Sequence, residues 1–146
     1  MDQESIVYGY IQSASHISTD DSFTRNMTNR QALMSLPTLD AWPFLSREMF
    51  ALPRLVTQND RLQSSMIHFG ASYVGIEYEW GLWINKFERL LQQMYWNSVV
   101  VNLETELSGV HTFIWKSGAK DHLPGEDPLA IRCEWQHELG VAGRSA

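Results

Sequence analysis

Glu104, Glu106 and His111 stand close together in the run NSVVVNLETELSGVHTFIWKSG, residues 97–118. The run reads as two short strands and a tight turn. Alternation puts Glu104 and Glu106 on one side of the first strand, roughly 7 Å apart. Glycosidase carboxylates lie in that range, but they flank the bond they cut. Two neighbours on one strand flank nothing by themselves, so a solvated strand face is the simpler reading. Glu106 and His111 can meet across the turn. A carboxylate there would hold the imidazole positive near neutral pH, as an acid–base pair or as an exposed ion pair worth about 0–1 kcal/mol. Phe113 and Trp115 fall on the same side. They are either anchors for a partner or residues covered by another part of the chain.

Other residues offer less chemistry. Cys133 and His137 are four apart, about 13 Å along a strand, too far to share one metal. A fold-back would be needed to bring His68 or His122 to them, and a buried strand thiol is the plainer reading. The stretch HELG at 137–140 begins like a zinc-protease helix, but Val141 stands where the second histidine belongs. There is no glycine-rich phosphate loop and no G-x-S-x-G elbow. No catalytic residue, metal ligand set or cofactor is expected.

The elements that must position these residues follow from periodicity. SIVYGYIQ (5–12) is rich in β-branched and aromatic residues and predicts a first strand. Asp20 and Asp21 are candidate caps of a helix with Phe23, Met27, Arg30 and Met34 on its stripe, ending before Pro37. Residues 37–61 read as an irregular, proline-punctuated segment. Within it, WPFL is expected to bury Trp42, Phe44 and Leu45, and REMFAL to add a short strand. QSSMIHFGAS (63–72) predicts another strand. YVGIEYEWGLWINKFERLLQQMYW (73–96) predicts the longest helix, with Ile76, Trp80, Trp83, Ile84, Phe87, Leu90, Leu91 and Met94 on one side. Gly81 weakens that helix by roughly 1 kcal/mol unless it permits close packing. Asn97 is placed to close it in a left-handed conformation. A two-residue turn at Ser108-Gly109 would pair Leu103 with Ile114 and Thr105 with Thr112 on the core face. Glu104, Glu106, His111, Phe113 and Trp115 would then lie on the outer face. LAIRCEW (129–135) predicts a last strand, and 141–146 a frayed tail. The expected fold is one α+β domain, 1–146. It is a two-layer sandwich with a mostly antiparallel sheet and two helices on one face, a ferredoxin-like core with additions.

The 146 residues fit one domain able to bury its own core. Net charge is −6 and the pI is near 5.3. Direct nucleic-acid binding is disfavoured by phosphate repulsion, and a basic protein is the more natural partner. One cysteine allows no internal disulfide. No basic-then-apolar leader and no membrane-length apolar run is seen, so a cytoplasmic location is expected.

YGYI near the start, WPFL, HFGASY, the E-x-E-W of Glu77–Trp80 and VVxLETEL carry a family resemblance. Together they resemble small bacterial immunity proteins of polymorphic-toxin systems, delivered by contact-dependent, Rhs-type or type VI secretion routes. The resemblance spans about two thirds of the chain. It implies a non-enzymatic protein that binds a cognate toxin, encoded by an adjacent gene, and blocks it. Immunity interfaces differ between pairs, so no residue roles carry over. On the residues alone, the expected partner-binding set is Glu104, Glu106, His111, Phe113 and Trp115. Glu77, Glu79, Asp20 and Asp21 are secondary candidates, and 37–61 is the reserve. The alternatives are a small enzyme using Glu104, Glu106 and His111, or a carbohydrate- or peptide-binding module using Phe113 and Trp115.

Overall fold

The computed structural model describes residues 4–13, 19–52, 66–118, 121–125 and 131–132. Strand β1 (Glu4–Gln12) leads into helix α1 (Thr19–Met34), strand β2 (Met66–Val74), helix α2 (Trp80–Gln92) and the hairpin of β3 (Ser98–Thr105) and β4 (Gly109–Lys116). A two-residue β5 (Ile131–Arg132) follows, so the strand order is β2-β1-β3-β4-β5 with every neighbouring pair antiparallel. This is the expected two-layer α+β sandwich. β2 and β3 run parallel to each other with β1 between them, so β2–α2–β3 is a split βαβ unit. The other helical connection, β1–α1–β2, joins antiparallel neighbours. The ferredoxin-like expectation is therefore met by one crossover and not by the second.

Alternation decides what the sheet buries. Val7 and Ile11 of β1, Ile67, Phe69 and Tyr73 of β2, and Val99, Val101 and Leu103 of β3 point into one core. Trp83, Phe87, Leu90 and Leu91 of α2 meet them there. Packed aromatic rings run through the interface, some stacked and some tilted. Trp83 lies 5.0 Å from Trp80 and 5.1 Å from Phe87, and Phe87 lies 5.3 Å from Phe69 and 5.6 Å from Trp115.

Four elements depart from expectation. The helix foreseen from residue 73 starts later, because β2 continues to Val74 and Gly75 (φ 69°) turns the chain into a 3-10 segment, Ile76–Glu79. Tyr73 is needed as an inward strand residue. α1 turns a different side inward. Phe23 and Met34 are exposed, while Asn26, Asn29, Ala32 and Leu33 are buried. Asn29 explains the rotation. Its Nδ2 donates to the Tyr95 carbonyl (3.0 Å), and its Oδ1 accepts from the Tyr95 N–H (2.8 Å), so the amide completes main-chain bonds after α2. REMFAL forms a 3-10 turn, Arg47–Met49, and contributes only a single bridge between Phe50 and Phe69. Asn97 is not left-handed, since no non-glycine residue described has positive φ. It donates its N–H to Gln12 O (2.6 Å) and accepts from Ser117 N–H (2.9 Å). The strand expected over 129–135 is described only at Ile131–Arg132, and Cys133, His137 and the tail 141–146 lie outside the described residues.

Two glycines give opposite outcomes. A Cβ on Gly9 would stand 1.9 Å from the Val100 carbonyl oxygen of the neighbouring strand β3. Gly81 meets nothing within 4 Å. Gly9→Ala is expected to cost at least about 3 kcal/mol, the upper end for overpacking. Gly81→Ala is expected to stabilise by about 0.5–1 kcal/mol. Urea midpoints of the two variants measure both.

Candidate functional site

The hairpin does not assemble the expected outer group. Thr105 pairs with Gly109, Leu103 with His111, Val101 with Phe113 and Val99 with Trp115. Leu103 thus faces a residue three positions earlier than Ile114, and an odd slip exchanges the faces of β4. The turn holds Glu106, Leu107 and Ser108 between the paired Thr105 and Gly109, with Gly109 left-handed at φ 76°. Thr105 Oγ1 accepts from Ser108 N–H at 2.9 Å and lies 2.5 Å from Ser108 Oγ. This register also buries the larger apolar groups.

Trp115 is therefore core, 1% exposed, with its Nε1–H donating to Glu88 Oε2 at 3.0 Å. Phe113 is half-buried, 5.3 Å from Trp80. His111 turns to the inner side and its Nε2 lies 3.1 Å from Ser108 Oγ. Glu106 stands exposed in the turn, and Glu104 is half-buried on the outer side, in line with Ile6 and Val110. The five residues do not share one face. Glu77 accepts a hydrogen bond from Ser5 Oγ at 2.7 Å and ties the 3-10 segment to β1. Glu79, half-buried, precedes the first turn of α2 without a side-chain capping bond. Asp20 and Asp21 lie inside α1, not before it. His68 is exposed on β2, whereas His122 is buried, stacked 4.8 Å from Trp96 and 2.9 Å from the Met94 carbonyl through Nδ1. Among the described residues no group of His, Cys, Asp and Glu could hold a metal ion.

The outer side of the sheet is mixed. Ile6, Tyr8 and Val74 are exposed, and Tyr10, Val100, Val110 and Ile114 are half-buried. Asn102 accepts from Thr112 Oγ1 at 2.8 Å among them.

A second surface lies where the WPFL loop meets the start of α2. Leu39 is 91% exposed, Tyr78 84%, Leu82 53% and Trp42 47%. WPFL thus buries Leu45 and part of Phe44 but leaves Trp42 half outside, against expectation. Trp42 packs edge-on against Tyr73 (5.9 Å) and Phe44 (6.1 Å). Tyr73 is held in turn. Its hydroxyl donates to the Phe44 carbonyl (2.9 Å) and accepts from Trp83 Nε1 (2.9 Å), and burial pushes its pKa up. Asp40 fixes the loop from the other end. Its Oδ2 accepts from Leu45 N–H (3.0 Å) and from Lys86 Nζ (2.9 Å), which also donates to the Ala41 carbonyl (3.0 Å). Only the exposure pattern marks this surface, and no motif in the sequence announces it. The length of the irregular segment is the one signal in the sequence, since long loops in compact domains tend to serve a function.

No helix among the described residues is long and apolar enough to cross a membrane. Comparison with protein-family models finds no match, and comparisons with curated proteins and with solved structures find none either.

Trp115→Ala removes a fully buried ring and is expected to cost about 3–5 kcal/mol, while Glu104→Lys on the outer side is expected to cost less than about 0.5 kcal/mol. Chemical denaturation of both checks the register. For Asp40, burial favours the neutral acid, but the Leu45 N–H and the Lys86 ammonium outweigh it, and its pKa lies below the ordinary 3.8. The stabilisation is therefore complete above the unfolded value and is lost as pH falls through the lower folded value. The stability difference between the parent and Asp40→Asn should stay constant above about pH 5 and shrink below about pH 4.

Proposed function

We propose that this chain is a non-enzymatic immunity protein that binds and neutralises a cognate bacterial toxin acting in the cytoplasm. The observation that carries the reading is the set of large apolar side chains exposed around a loop held by Asp40 and Lys86. A large apolar group kept in water by a rigid scaffold is the usual signature of a protein-recognition surface. The likeness of YGYI, WPFL, HFGASY and VVxLETEL to immunity proteins supports the same reading. So does the net charge of −6, which suits a basic toxin such as a nuclease or a nucleotide-consuming enzyme. The rival enzyme reading needs Glu104, Glu106 and His111 to converge, and they stand on the outer side, in the turn and on the inner side respectively.

Co-expression with the product of the adjacent gene tests this. The two proteins should copurify, and growth should be protected from that product. A pair that neither copurifies nor protects sinks the reading.

A further inference from the structure

Trp42 stands half exposed on a loop whose own geometry is locked, and its neighbours suggest what it is for. The Asp40 carboxylate ties the loop to itself through Leu45 and to α2 through Lys86. Tyr73, itself bonded to Trp83 in the core, supports one edge of the indole. Three further exposed apolar groups are linked to these supports. Tyr78 lies over Gly75, two residues beyond Tyr73. Leu82 sits one helical turn before Lys86, which grips the loop at Ala41. Leu39 precedes Asp40.

Among the described residues, Glu48 and Glu79 stand on the 3-10 segments after the loop and before α2, and Glu77 of the second segment is bonded to Ser5. The described cations beside this surface are engaged, Lys86 with Asp40 and Ala41, and Arg47 Nε with the Leu36 carbonyl at 3.2 Å. The exposed Arg89 is in the last turn of α2, away from Tyr78.

We infer that Leu39, Trp42, Tyr78 and Leu82 form the docking surface for the toxin, with Trp42 as anchor and Asp40–Lys86 as the latch that positions it. This rests on the immunity reading and replaces the hairpin as the site of recognition. The fitting occupant is a basic protein surface with an apolar recess that receives the indole and a cationic rim that meets the glutamates. A second copy of this chain would bring like charge against like.

The anchor loses no entropy on binding if it is already held, which is how a latch adds affinity without touching the partner. A double-mutant cycle separates that role from a merely structural one. The probe is the adjacent gene's product, rendered inactive, with affinity and association rate measured for the parent, Trp42→Ala, Asp40→Asn, the double variant, Tyr78→Ala, Glu79→Lys and Glu104→Lys. Urea midpoints confirm folding. Trp42→Ala should weaken binding about thirtyfold or more, and Tyr78→Ala measurably. Asp40→Asn should weaken it in the parent and add little once Trp42 is gone. Glu79→Lys should slow association and reduce its salt dependence, while Glu104→Lys binds like the parent. If the parent does not bind the probe, the immunity reading falls and the surface falls with it. If the parent binds and the folded Trp42→Ala and Tyr78→Ala variants bind equally well, only the surface is wrong. Parent dimers in sedimentation that Trp42→Ala dissociates would also overturn it, by making the occupant a second copy.

Discussion

The packing of the described residues centres on the ring stack of α2 on the inner side of the sheet. Trp80, Trp83 and Phe87 stack along the helix, and Phe69, Phe113 and Trp115 come up from β2 and β4 to meet them. Each such pair contributes about 0.5–1.5 kcal/mol beyond the area it buries. Indoles also bring N–H groups that must be bonded when water leaves. Trp83 donates to Tyr73, Trp96 to the Leu91 carbonyl and Trp115 to Glu88, while Trp80 Nε1 is buried with no acceptor among the described residues. These bonds make the stack directional. A register that moved Trp115 by one position would lose both its packing on Phe87 and its bond to Glu88.

The loop and α1 are subordinate to that stack. Trp83 holds Tyr73, Tyr73 holds the Phe44 carbonyl, and the loop closes on α2 through Asp40 and Lys86. α1 puts Ala32 and Leu33 into the core and adds polar ties to it. Asn29 bonds the Tyr95 main chain, and Arg25 pairs with Asp121 at 2.6 Å while its guanidinium sits 4.9 Å over the Tyr95 ring. Arg25 and Asp121 are mostly shielded from water, so this pair is screened less than a surface one.

That arrangement divides the surface by what the core has already taken. The aromatic groups of the hairpin are engaged inside, so a partner meets only its turn, with Glu106 and the 75% exposed Leu107, and the mixed outer side of the sheet. Leu39, Trp42, Tyr78 and Leu82 stay exposed on the loop and at the start of α2, and the loop backbone is held at two ends. Recognition by a held aromatic and steering by carboxylates are compatible with one small, acidic, self-sufficient domain, and no catalytic constellation is needed for either.

Periodicity alone determined the strands β1, β2 and β3, the apolar side of α2 and the α+β class, because each follows from local alternation or a three-to-four spacing that one segment carries by itself. Val7 and Ile11, or Phe87, Leu90 and Leu91, need no distant neighbour to declare their side. Tertiary structure decided three things that no single segment contains. The side of β4 depends on the turn, where Thr105, Ser108 and a left-handed Gly109 add a residue to the loop, and on the larger burial obtained with Phe113 and Trp115 inside. The inward side of α1 depends on Tyr95, far along the chain, whose main chain draws Asn29 inward in place of Phe23. The exposure of Trp42 depends on Lys86 and Tyr73, which hold the loop so that Leu45 enters the core and the indole does not. An odd slip in register inverts a whole strand, so the expected hairpin site dissolved, whereas the patterns that read correctly were those a local period could enforce.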